Sequence, residues 1–153
     1  MGLDMYLTKK SYVKKWDFQK KNHEVEVRYG GNKRHDIKPN RVSEIVEEVM
    51  YWRKANHIHG WFVDNVQQGR DECQESKVEL GDLVELRDLC KKVLETKNTD
   101  LLPLTAGFFF GSKEVDGFYW EDTKATVEAI DSILEEKVPD GATAPDYYYQ
   151  ASW

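Results

Sequence analysis

Two cysteines, Cys73 and Cys90, are all that this 153-residue chain holds, and they make no Cys-x-x-Cys pair. Neither a zinc ribbon nor a redox dithiol is indicated. No apolar run is long enough to span a bilayer, and no N-terminal stretch has the layout of a signal peptide. The chain therefore reads as cytoplasmic, with no membrane partner. A phosphate loop is also missing. Gly107-Phe108-Phe109-Phe110-Gly111-Ser112-Lys113 comes nearest, but its spacing is short and Ser112 precedes the lysine. Nothing supplies an evident nucleophile with an oxyanion hole, and no ligand set converges, so neither a cofactor nor a metal is expected. Repeats and low-complexity segments are absent.

What is present is charge and aromatic surface. One third of the residues are charged and 12% are aromatic. Large rings bury much area per residue, which argues for one folded domain over 1–153 rather than disorder. The net charge of −6 is unevenly spread: residues 1–43 carry +6 and residues 44–153 carry −12. Such asymmetry marks either a partner surface or two oppositely charged parts packed together. The overall negative field repels phosphate, so nucleic acid is not the expected partner. Lys9 to Lys21, where Tyr12, Trp16 and Phe18 interleave with lysines, has the makings of a single-stranded nucleic-acid site, by stacking and phosphate attraction, but the preferred reading is rings anchored to the core under solvated amines.

Residues 2–8 alternate as a half-buried strand, with Leu3, Met5 and Leu7 on one face. Glu24–Tyr29 alternates again and ends at Gly30-Gly31-Asn32. Val42, Ile45, Val46 and Val49 have helical spacing, and Tyr51, Ala55, Ile58, Phe62 and Val66 form a second stripe on nearly the opposite side. These spacings predict helix over 42–66, either one helix buried on two faces or two helices breaking near 53–56. A polar loop over 70–77 precedes a helix over 79–95, whose stripe includes Cys90. Asp116-Gly117 signals a turn, and a last helix covers 121–138. The terminal Tyr147-Tyr148-Tyr149-Gln150-Ala151-Ser152-Trp153 reads as a strand added to the N-terminal sheet. The expected fold is α+β: a small, mostly antiparallel sheet of N-terminal strands plus the C-terminal strand, covered by three or four helices.

Tyr51 to Asn65 is the only stretch where chemically competent groups crowd together. On a helix, Arg53 and His57 share a face at i, i+4, with Gly60 and Asp64 following and Trp61 at the margin. An imidazole beside a guanidinium and a carboxylate suits an anionic ligand or general-base work: Arg53 as anion clamp, His57 as base or anion contact, Asp64 as orienting acid. The bland alternative is a solvated or packed helix face. His59 is expected to be a hydrogen-bonded structural histidine, because His57 and His59 point apart on a helix and make a poor metal pair. Three successive phenylalanines cannot all face one core, so Phe109, with Trp153 at the aromatic C-terminus, is a candidate interaction residue.

Met1-Gly2-Leu3-Asp4-Met5-Tyr6-Leu7, Trp52-Arg53-Lys54-Ala55-Asn56-x-Ile58-His59-x-Trp61-Phe62-Val63, Gly107 to Ser112 and the Tyr/Trp tail together resemble a family of small, functionally uncharacterised proteins of bacterial genomes and their phages. The resemblance implies an accessory, often phage-encoded, intracellular setting and brings no activity with it. The reading that follows is a small non-catalytic binding protein of phage or mobile-element type. Its expected partner is a host protein, with a homodimer as the second possibility. The alternative is a small-ligand or nucleotide-binding protein, or an enzyme, using the Arg53/His57/Asp64 face.

Overall fold

The computed structural model describes residues 2–107 and 110–153; Phe109 therefore lies outside the described residues. Among the described residues, six strands and three α-helices follow in chain order: β1 (Asp4–Tyr12), β2 (Arg28–Tyr29), β3 (Asn32–Lys33), β4 (Glu44–Arg53), α1 (Asn56–Asn65), β5 (Ser76–Val78), α2 (Leu80–Thr96), α3 (Gly117–Glu135) and β6 (Asp146–Ser152). The fold is α+β. A four-stranded antiparallel sheet runs in the order β4-β1-β6-β5, and β2 and β3 make a separate hairpin.

Alternation along the strands sorts the sheet into two faces. Leu3, Met5 and Leu7, with Trp52, Tyr147, Tyr149, Ala151 and Val78, are buried on one. The helices cover that face with Ile58 and Phe62 of α1, Leu83, Leu86, Cys90 and Val93 of α2, and Ile130 and Ile133 of α3. Full burial of such a side chain contributes roughly 1.5–3 kcal/mol. The Phe62 and Tyr149 rings stack at 3.9 Å, and Trp52 meets both edge-on.

Local chemistry sets the helix ends. The Asp82 carboxylate accepts from the Glu79 N–H at 2.9 Å at the start of α2, and Lys97, at φ 59, terminates that helix. Asp116 accepts from the Tyr119 N–H at 3.1 Å. The pair Asp116-Gly117 is therefore the cap and first residue of α3, not the turn expected of it.

The largest departure from expectation is over 42–53, where Glu44–Arg53 is the strand β4 and nothing is helix. One bulge explains the misleading period. Met50 pairs with Leu7 and Glu48 with Thr8, leaving Val49 extra. That residue shifts the alternation by one, so Ile45 and Glu47 share the inner face with Met50 and Trp52. A period of two with one insertion mimics helical spacing. The β-branched and aromatic content of the segment favours strand. The helix begins only at Asn56. Between them Lys54 takes φ 57, and Ala55, at φ −79 and ψ 69, makes an inverse γ-turn closed by the Asn56 N–H to the Lys54 carbonyl at 2.9 Å. The expected strand at 24–29 is reduced to Arg28–Tyr29, and the loop expected over 70–77 contains the start of β5.

His59 is fully buried, as a structural histidine should be. Its Nε2 donates to Asp71 at 3.0 Å, and its Nδ1 accepts from the Tyr149 hydroxyl at 2.7 Å. Trp153 Nε1 donates to the same Asp71 oxygen at 3.0 Å. Four side chains thus tie α1 to the C-terminal strand and to the loop after α1. Tyr149→Phe removes one hydroxyl and strands a buried ring nitrogen. The expected cost is about 1–3 kcal/mol in urea unfolding; a loss below about 0.5 kcal/mol would show that the relay contributes little.

Candidate functional site

A cavity of about 750 Å³ lies where the C-terminal end of β4, the first turn of α1, the start of α3 and residues 104–116 meet. Its floor is buried: Trp52, Asn56, His57 and Tyr119. Leu104 and Asp122 are half-buried, and Arg53, Lys54, Glu114 and Phe118 are exposed at the rim. The volume is in the range of small-molecule sites.

Asn56 assembles the far wall. Its Nδ2 donates to the Phe110 and Ser112 carbonyls, both at 3.0 Å, and its Oδ1 accepts from the Thr105 N–H at 3.1 Å. One buried amide therefore holds both ends of the 105–112 segment against α1. Two glycines allow the approach. A Cβ on Gly60 would lie 1.9 Å from Thr105 Oγ1, and one on Gly111 would meet the Lys54 side chain at 2.9 Å on a backbone already at φ 97.

The floor is a stacked pair. The His57 and Tyr119 rings lie 4.1 Å apart at 25°. Tyr119 is fixed from below by its hydroxyl, which donates to the Leu102 carbonyl at 2.7 Å; burial pushes that hydroxyl up to about 12. His57 Nε2 meets Thr123 Oγ1 at 3.0 Å. Thr123 gives its own proton to the Tyr119 carbonyl at 2.6 Å, so its oxygen accepts and His57 Nε2 carries the hydrogen. No fully buried side-chain nitrogen or oxygen among the described residues lacks a partner. His57 Nδ1 has no hydrogen-bond partner among the described residues, and the residue lines the cavity. Burial lowers the His57 pKa to about 4, against smaller opposing pulls from the Tyr119 backbone and Asp116. At neutral pH the ring is uncharged.

Asp122 was not anticipated from the sequence, where it is one of many acids on an amphipathic helix. Half-buried in the cavity wall, its carboxylate has no hydrogen-bond or ion-pair partner among the described residues. Burial first, and the neighbouring Glu121 and Asp116 second, push its pKa up to about 6. No group of three or more potential metal ligands converges here or elsewhere among the described residues.

The sequence-derived candidates divide. Arg53 and His57 both line the cavity, although Arg53 ends a strand and does not share a helical face with His57. Trp61 is buried in the core with its ring against Phe62, and Asp64 is exposed on α1; neither lines the cavity. Trp153 is about half exposed, its ring edge against Phe110, and is engaged with Asp71. No family model matches the chain, and no curated protein or solved structure matches it.

The two perturbed groups act on stability with opposite signs. Because His57 is depressed from 6.5 to about 4, unfolding takes up a proton between those values, and stability falls as the pH drops through that window. Asp122 is raised from 3.8 to about 6, so stability falls as the pH rises from 3.8 through 6. The slopes oppose between about pH 4 and 6. Asp122→Asn removes the second. The variant is expected to be more stable than the parent by about 1 kcal/mol at pH 7.5, after discounting for partial exposure, and equal to it near pH 4. Urea unfolding at the two pH values checks this; a difference independent of pH would refute the assignment.

Proposed function

We propose that this protein binds a polar small molecule in the cavity. Such a ligand has a planar unsaturated part for the aromatic floor, a proton-donating group for Asp122 and an anionic group for Arg53 and Lys54. The observation that carries this reading is the Asp122 carboxylate, which is taken partly out of water in an aromatic-floored cavity and offered no protein partner. Ionised groups in that situation cost free energy unless something bound supplies the missing donor. The cations Arg53 and Lys54 at the C-terminal end of β4 and the uncapped first turn of α1 favour negative charge.

Binding rather than turnover is the better fit. An imidazole with a pKa near 4 is a weak proton acceptor at neutral pH. The Ser112 hydroxyl is occupied within its own turn, donating to the Glu114 carbonyl at 2.9 Å and accepting from the Glu114 N–H at 3.1 Å. Recognition of a host protein is the second reading. Phe118, 72% exposed on the cavity rim, favours it, because a protein partner would cover that ring.

The test is calorimetric titration with a panel of nucleoside monophosphates and aromatic amino acids, each carrying a ring, a donor and an anionic group. At least one is expected to bind saturably in the micromolar-to-millimolar range. Arg53→Gln and Asp122→Asn are each expected to weaken it about tenfold or more, the loss of one charge-assisted hydrogen bond. Absence of binding across the panel at millimolar concentration, or binding that neither substitution alters, would overturn the ligand reading. Native mass spectrometry with host lysate then separates it from the protein-partner reading.

A further inference from the structure

The chain's positive charge is concentrated on one arm. Residues 14–43 carry a net +5, the rest of the chain −11, and no residue of this arm is buried. The net charge of −6, which weighs against a polyanionic partner for the molecule as a whole, is thus an average over two regions of opposite sign. Within the arm the charges are again sorted. Glu26 pairs with Arg28 and Lys33, and Asp36 with Arg34. Lys14, Lys15, Lys20 and Lys21 have no carboxylate within ion-pair distance among the described residues.

Those four lysines flank a small built loop. Asn22 closes it, its Oδ1 accepting from the Trp16 N–H at 3.0 Å and its Nδ2 donating to the Trp16 carbonyl at 3.1 Å. Trp16 is held from the side by Nε1 donating to the Tyr12 hydroxyl at 3.2 Å. Phe18 stacks on Trp16 with centroids 5.7 Å apart and remains 80% exposed. The arm's rings are therefore not anchors folded into the core: Trp16 backs a Phe18 ring held out in water. Beside this loop a groove of about 260 Å³ contains Lys14, Lys21 and His23 and is closed by the 139–143 connection.

We infer that the 14–23 loop is a binding site for single-stranded nucleic acid, with Phe18 stacking on a base and Lys15, Lys20 and Lys21 contacting the flanking phosphates, while Lys14 donates to the Asn40 carbonyl at 2.9 Å. A single strand suits it better than a duplex, because an exposed ring face is of use only to an unstacked base. A strongly acidic body confines such a strand to the arm, since phosphate is repelled elsewhere.

The experiment is fluorescence anisotropy of the full chain with a fluorescein-labelled 20-nucleotide oligothymidylate and, separately, a 20-base-pair duplex. The single strand is expected to bind more tightly at 50 mM salt. Three phosphate contacts on a single strand predict a loss of about twentyfold between 50 and 200 mM salt. Phe18→Ala, a surface change, is expected to weaken binding roughly five- to a hundredfold. Lys20→Gln with Lys21→Gln is expected to flatten the salt dependence as well as lower affinity. No binding at 50 mM salt would overturn the inference, as would equal binding of strand and duplex that Phe18→Ala leaves unchanged. So would sedimentation showing that the arm seats instead on the acidic body of a second copy.

Discussion

One buried amide organises the site. Asn56 uses both protons of its Nδ2 on the Phe110 and Ser112 carbonyls and its Oδ1 on the Thr105 N–H. Only an amide side chain offers donors and an acceptor from one planar group; a carboxylate would face two carbonyl oxygens without protons to give. The residue stands where it does because the chain turns abruptly out of β4, through Lys54 in the left-handed region and the inverse γ-turn at Ala55. Strain at Lys54 and close approach at Gly60 and Gly111 are the local costs of that turn, and the Asn56 bonds offset them. Without them Thr105 and Ser112 lose their polar tie to α1, and what remains is the buried Phe110 ring edge-on to His59.

The same helix carries two histidines with opposite duties. His57 and His59 are separated by one residue, a rotation of about 200° on a helix. His59 therefore meets the sheet, where Asp71 and Tyr149 occupy both of its nitrogens. His57 meets α3, where Thr123 occupies one nitrogen, and the residue lines the cavity. A fully satisfied imidazole rigidifies the core, and a half-satisfied one is available to a ligand. Asp122 completes the contrast: an unpaired, half-buried carboxylate lowers stability at neutral pH and has no structural return. Groups kept at such a cost are characteristic of functional sites.

The two central strands of the sheet and the helices with clean stripes were legible. Leu3, Met5 and Leu7 alternate without interruption. Leu83 and Cys90 on α2 and Ile130 on α3 lie on helical stripes and are buried, and the aromatic tail does join the N-terminal strand as β6. Residues 42–53 were not legible as strand, because the bulge at Val49 destroys the alternation on which a strand is recognised. Of the site, Arg53 and His57 were found for a partly mistaken reason. The helical face that groups them with Asp64 does not exist at Arg53, yet the turn at Lys54–Ala55 brings both to the cavity. Asp122, Tyr119 and Asn56 could not be singled out. Their importance comes from what α3 and the 105–112 segment are packed against, and no local pattern records that.

Charge ties the cavity and the arm together without any contact between them. Burial first, and then the body's acidity through Glu121 and Asp116, raises the pKa of Asp122, and the same acidity disfavours phosphate over most of the surface. Cations stand without acidic partners at the end of β4, where Arg53 and Lys54 border the cavity, and in the 14–23 loop, with its four lysines. The two places differ in depth. The cavity takes charge partly out of water, so its interactions there are strengthened and depend little on salt. The loop is fully solvated, so its interactions are screened within about 10 Å at moderate ionic strength. A ligand held in the cavity is therefore expected to be selected by fit and protonation, whereas a partner on the arm is selected by charge density and by the face of one exposed ring.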